Sequence, residues 1–147
     1  KPDDSTGWCP VKRWSDKFPN IALDKGFEKI ENIIKKSRIY VHTENSTTFL
    51  ESFTMNVPTV MFWNPNHWEL RESAIPYFEM LKKCGIYHET PESAANHINH
   101  VWNKVDEWWN DKELKQAIKC FCSRYAHVPM DISNEIFNQI KSSSNLN

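Results

Sequence analysis

Two short apolar runs, Ile39 to Val41 and Val57 to Phe62, flank a hydroxyl-rich turn and a brief amphipathic segment in the stretch SRIYVHTENSTTFLESFTMNVPTVMFWNPNHWELR, residues 37–71. Runs this short and this apolar suit strands buried on both faces of a sheet. Between them Phe49, Leu50 and Phe53 fall on one side of a helix over residues 46–56, with Asn45 or Ser46 as its N-cap. Strand, helix, strand in that order implies parallel pairing through a right-handed crossover. The stretch therefore commits the chain to an α/β fold.

The flanking sequence extends the alternation. Asn20 to Leu23 reads as a short strand and Gly26 to Lys36 as a helix, with Phe27, Ile30, Ile33 and Ile34 at helical spacing and Lys35 and Lys36 at its end. His67 to Cys84 reads as two helical pieces or one kinked helix, because Pro76 removes a backbone donor, and Gly85 stops it. After a brief strand at Gly85 to His88, Thr90 and Pro91 open a five-turn helix reaching Trp109. Asp111 and Asp131 cap two more, and residues 142–147 are expected to fray. The closing helices are expected to pack across the sheet or against another domain. Residues 1–19, with Pro2, Gly7, Pro10 and Pro19, read as an irregular segment truncated from a longer chain. Residues 20–141 form the expected Rossmann-like domain.

Composition narrows the function classes. The 147 residues allow one core and little more, and a formal charge of −1 supplies no net basic field for nucleic acid or an anionic membrane. The longest apolar run is far short of the ~20 residues that span a bilayer, and the start is unlike a signal peptide. These features point to a soluble, cytoplasmic protein, with peripheral membrane contact left open. Cys9, Cys84, Cys120 and Cys122 have no disulfide-framework or metal spacing and read as free thiols of a reducing compartment. With only Gly7, Gly26 and Gly85 the chain has no dinucleotide fingerprint and no Walker loop, and it has no G-x-S-x-G elbow. His97 and His100 share a helix with no acidic partner matched to them, so no metal site and no cofactor is assigned.

In a parallel α/β sheet, ligands bind beyond the carboxyl ends of the strands, where loops enter helices. Two polar clusters fall there. The first, His42 to Thr48, offers the hydroxyls of Ser46, Thr47 and Thr48 at a helix start, which reads either as an ordinary cap or as a phosphate seat without glycines. Glu51 lies on the same helix face and reads as a surface carboxylate or as an acceptor for a ribose diol. The second cluster, Asn64, Asn66, His67, Trp68, Glu69 and Arg71, holds residue types that read and stack on sugars, or that merely enter a helix. His42 and Asn45 line the first mouth as candidates; His42 reads as a hydrogen-bonded core residue or as a base. Lys12 and Arg13 stand out in the leading segment, Arg13 being a solvated cation or a diphosphate contact.

The stretch from VHTENSTTFLESF to NHVWNKVDEWW, within residues 14–125, resembles the C-terminal part of a family of transferases from bacterial surface-polysaccharide loci. More distantly, STTFLE followed by NVPTV is similar to the donor-binding half of GT-B glycosyltransferases. That resemblance implies a Rossmann-like parallel sheet flanked by helices, of GT-B C-terminal type with extra C-terminal helices, in a two-domain enzyme whose N-terminal domain is missing here. It implies a nucleotide-sugar as co-substrate and a glycan or lipid-linked acceptor. Carried onto this sequence, Ser46, Thr47 and Thr48 meet the diphosphate, Glu51 the ribose, and Asn64, Asn66, His67 and Glu69 the donor sugar. Trp68 and Arg71 belong to the same loop, and no catalytic base is identified. A CDP-linked phospho-polyol donor and a non-catalytic, Trp-rich interaction module remain the alternatives.

Overall fold

A computed structural model describes residues 9–24, 26–127 and 131–144. The chain divides into two compact units, Lys1–Lys36 and Ser37–Asn147. The first holds α1 (Pro10–Lys17) and α2 (Ile30–Lys36). Helix α1 replaces the irregular structure expected at Pro10–Lys17, while residues 1–8 of that segment lie outside the described residues. Pro10 opens it as a first-turn proline, the one helical position where a missing N–H costs nothing. Residues 20–23 form a turn and irregular backbone, not the expected strand, and α2 begins four residues later than Gly26, whose φ of +73° is left-handed.

In the second unit β1 (Tyr40–His42), α3 (Thr48–Thr54) and β2 (Thr59–Phe62) make the expected crossover. A 3-10 turn at Glu72–Ala74 leads into α4 (Ile75–Lys83), followed by β3 (Tyr87–His88). The strands form one parallel sheet in the order β1-β2-β3, with Tyr40 opposite Thr59 and Met61 opposite Tyr87. Pro76 sits in the first turn of α4, so it starts this helix where a kink was one of the expectations. The five-turn helix is instead three pieces: α5 (Pro91–Val101), a 3-10 turn at Trp102–Lys104, and α6 (Val105–Trp109). Then come α7 (Lys112–Tyr125) and α8 (Ile132–Ser144); the last three residues of the expected frayed tail lie outside the described residues.

Helices α3, α4 and α7 cover one sheet face, and α5 packs on β2 and β3. Met61, Trp63 and Tyr87 meet Phe49, Phe53, Phe78, Leu81, Leu114 and Phe121 in one buried cluster. Phe121 is its hub: ring centroids of Phe78, Phe49 and Phe53 lie 5.1, 6.0 and 6.1 Å away, all edge-on, the arrangement ring quadrupoles favour. Where α3 ends, Asn56 takes a left-handed φ of +57°, its N–H donating to the Phe53 carbonyl and that of Val57 to Ser52. Gly85 ends α4 the same way, with bonds to Lys82 and, from Ile86, to Leu81. Both are Schellman closures, which turn the chain straight from helix into the next strand. Helix α8 leaves Ile132, Ile136, Phe137 and Ile140 exposed, whereas α7 packs onto the core.

Candidate functional site

A cavity of about 490 Å³ opens beyond the carboxyl ends of β1 and β2. Asn45, Ser46 and Thr47 line it from the turn after β1, and Glu69, Arg71 and Ser73 from the loop after β2. Phe49, Leu50, Phe78 and Phe121 make an apolar floor, and Arg124 and Tyr125 close the side formed by α7. Part of each polar cluster of the sequence, Asn45 to Thr47 of the first and Glu69 and Arg71 of the second, thus meets in one place, with two guanidinium groups among the lining residues. Cations there favour an anionic ligand, and Arg does so with a planar, bidentate donor set.

The turn after β1 does not cap α3 in the expected way. The N-cap is Thr47, not Asn45 or Ser46; its backbone is already helical and its side chain makes no capping bond. The Ser46 hydroxyl instead lies 3.1 Å from Nε2 of His42, while Nδ1 of His42 lies 3.0 Å from the Tyr40 hydroxyl. Strand alternation explains this contact, since residues 40 and 42 project from the same face of β1. His42 is buried at 6% exposure. Burial lowers its pKa, opposed by the charge of Glu44 and a hydrogen bond to the Glu44 backbone. Burial raises that of Tyr40, assisted by Glu51 and Glu44. Both groups are therefore held in their neutral forms.

The remaining candidates divide. Thr48 is the first residue of α3 and half-buried, and Glu51 is exposed one turn on; neither lines the cavity. Asn64, Asn66, His67 and Trp68 form an exposed loop outside it, in which the Asn64 side chain accepts from the Asn66 N–H at 2.9 Å. Arg13 is exposed on α1 in the first unit, next to Lys12, which pairs with Asp16 at 2.6 Å. Arg124 and Tyr125 escaped the sequence reading. The local signal at Arg124 was only a cation in the last turn of a helix, and packing of α7 on α3 and α4 is what brings it here.

A second cavity, about 450 Å³, lies beside β3 and includes Tyr87, His88, Ser93 and His97. His88 bonds Ser93 through Nδ1 at 2.8 Å and the Gly85 carbonyl through Nε2 at 3.0 Å. The His97 ring stands 5.3 Å from that of His88, and burial pushes its pKa down to about 4, with His88 and His100 adding to the effect. Among the described residues no group of three or more His, Cys, Asp or Glu is arranged to hold a metal ion. No helix among them is long and apolar enough to cross a membrane.

Comparison with known proteins gives one family model, described as LIC12162 family transferase, which matches residues 2–140. No curated protein and no solved structure matches the chain.

Proposed function

The chain belongs to the LIC12162 transferase family, and from that premise we propose that it is the donor-binding part of a GT-B-like enzyme moving a sugar from a nucleotide-sugar to a cell-surface glycan acceptor. The observation carrying this reading is the convergence of Asn45 to Thr47, Arg71 and Arg124 on one cavity at the carboxyl ends of parallel strands. In this reading the enzyme works in the cytoplasm. The diphosphate of the donor rests against the Ser46 and Thr47 hydroxyls between the two guanidinium groups, and Glu51, outside the cavity lining, is proposed to take the ribose.

Transfer is substitution at the anomeric carbon: the acceptor oxygen forms its bond as the glycosidic bond to the diphosphate breaks, and the departing diphosphate keeps the electron pair. Donors already aimed at the leaving oxygens lower this barrier because they need no reorganisation as charge develops. The base that takes the acceptor proton is proposed to come from the second domain of such an enzyme.

One observation favours a second reading. Asn64, Asn66, His67 and Trp68, the side chains suited to a sugar, lie outside the cavity, whereas its phosphate-complementary groups lie inside. Transfer of a phospho-polyol from a CDP-linked donor would use the same seat. Product analysis separates the two, through a transferred sugar or a transferred phosphodiester. Calorimetric titration with UDP, GDP and CDP tests the seat itself. A bound nucleotide should lose at least about tenfold in affinity in Arg124→Ala, the worth of one charge-assisted hydrogen bond. Wild-type affinity retained in both Arg124→Ala and Thr47→Ala would rule the seat out.

A further inference from the structure

The hydrogen-bonded row Tyr40, His42, Ser46 ends at the cavity wall, and among these three side chains the protons can run in either of two directions, with the Glu44 backbone a further acceptor for the His42 N–H. A neutral imidazole has one N–H and one lone pair, so whichever nitrogen donates, the other accepts. In one direction Tyr40 donates to Nδ1 and Nε2–H donates to Ser46 Oγ, which leaves the Ser46 proton to point at a ligand. In the other, Ser46 donates to Nε2 and Nδ1–H to the phenol, which leaves Ser46 only lone pairs. A phenol is a good donor and a weak acceptor, and a bare imidazole nitrogen is a strong acceptor, so the first direction makes the better pair at the 3.0 Å contact.

We infer that Tyr40 and His42 are positioning residues that turn Ser46 into a fixed hydrogen-bond donor, so that the cavity selects a phosphoryl or carboxylate oxygen over a ligand hydroxyl. The inference rests on the donor-site reading for its ligand but not for its geometry. His42 is buried, and its ring packs against Phe49 at 5.7 Å, which leaves it little room to turn away from Ser46. The charged groups facing the row are Glu44 from the turn and Glu51 from α3; both act on Tyr40, and Glu44 also on His42. They favour a protonated phenol, and burial of the ring outweighs Glu44 at His42, keeping it neutral.

This arrangement has a pH signature. Without the phenol, neutral His42 is free to carry its proton on Nδ1, whereupon Ser46 donates inward and is lost to the ligand. Protonation of His42 restores Nε2–H and with it the outward Ser46 proton. Tyr40→Phe should therefore weaken binding of inorganic pyrophosphate at pH 7.5 in proportion to the His42 that moves to Nδ1–H, about twofold for an even mixture, and the loss should shrink as pH falls through the His42 titration. Ser46→Ala should show the loss without that recovery.

The direct test uses the full chain labelled with 15N at histidine. In the wild type at pH 7.5, His42 should be the Nε2–H tautomer, and in Tyr40→Phe a mixture. An Nδ1–H tautomer in the wild type would overturn the inference whatever the protein binds. So would a Tyr40→Phe loss that does not change with pH. Binding of pyrophosphate but of no nucleoside diphosphate would sink the donor reading and leave the polarity of Ser46 standing.

Discussion

Phe121 touches the ring of nearly every aromatic residue that floors the cavity, so at the scale of single residues it links stability to the site. Truncating it to Ala removes a side chain 1% exposed and leaves a void under the cavity floor, at a cost of about 3–5 kcal/mol. Urea unfolding should register this as a lower midpoint at unchanged slope. A midpoint shift worth under ~1 kcal/mol would mean that the cluster collapses around the gap. The buried histidines give the molecule a pH dependence of known sign. His42, His88 and His97 are all held below the usual range by burial, His97 down to about 4. The folded chain resists protonation that the unfolded chain accepts near pH ~6.5. Stability should be fullest above that value and erode as pH falls from it toward about 4. Urea midpoints between pH 7.5 and 5.5 should decline accordingly, less steeply in His97→Gln, and a midpoint that rises on acidification would contradict the burial of these rings.

At the scale of elements the two Schellman closures set the geometry, because each turns a helix directly into a strand that ends beside a cavity. At Gly85 the left-handed φ of +73° combines with close packing: a Cβ there would come within 2.3 Å of the His97 ring. Gly85→Ala should therefore cost more than the ~1–2 kcal/mol of the backbone conformation alone, whereas Asn56→Gly keeps the left-handed turn and loses only the Oδ1 that accepts from Trp109 Nε1 and Lys115 Nζ, a cost of about 1 kcal/mol. Thermal denaturation of the pair checks this, and equal melting temperatures would contradict it. These elements also mark how far the sequence could be read. Apolar runs announced β1 and β2, and Thr90, Asp111 and Gly85 announced helix ends by chemistry that works locally. Asn56 was not legible as a closure because Asn serves caps, turns and ligands alike. The same ambiguity affects Asn64: the amide that suits a sugar hydroxyl also suits its own backbone two residues on, and here it accepts from the Asn66 N–H. Helix α1 was hidden by prolines that break a helix inside but start one at its first turn.

At the scale of the molecule, the crossover from β1 to β2 brings two polar clusters to one sheet edge, and α7 adds Arg124 from more than fifty residues away in sequence. The first two were legible because strand ends can be located from pattern. The third was not, since which face of α7 reaches the cavity is decided by packing against α3 and α4. Whether that cavity takes the phosphates of a transferase donor is the central question for this molecule. Amide chemical-shift mapping of the labelled chain with UDP, GDP and CDP tests it most directly. At least one nucleotide should perturb residues 45–47, Glu69, Arg71 and Arg124 together while residues 64–68 and the cavity beside β3 stay still. Saturable shifts confined to the β3 cavity, or no shift with any of the three, would contradict it.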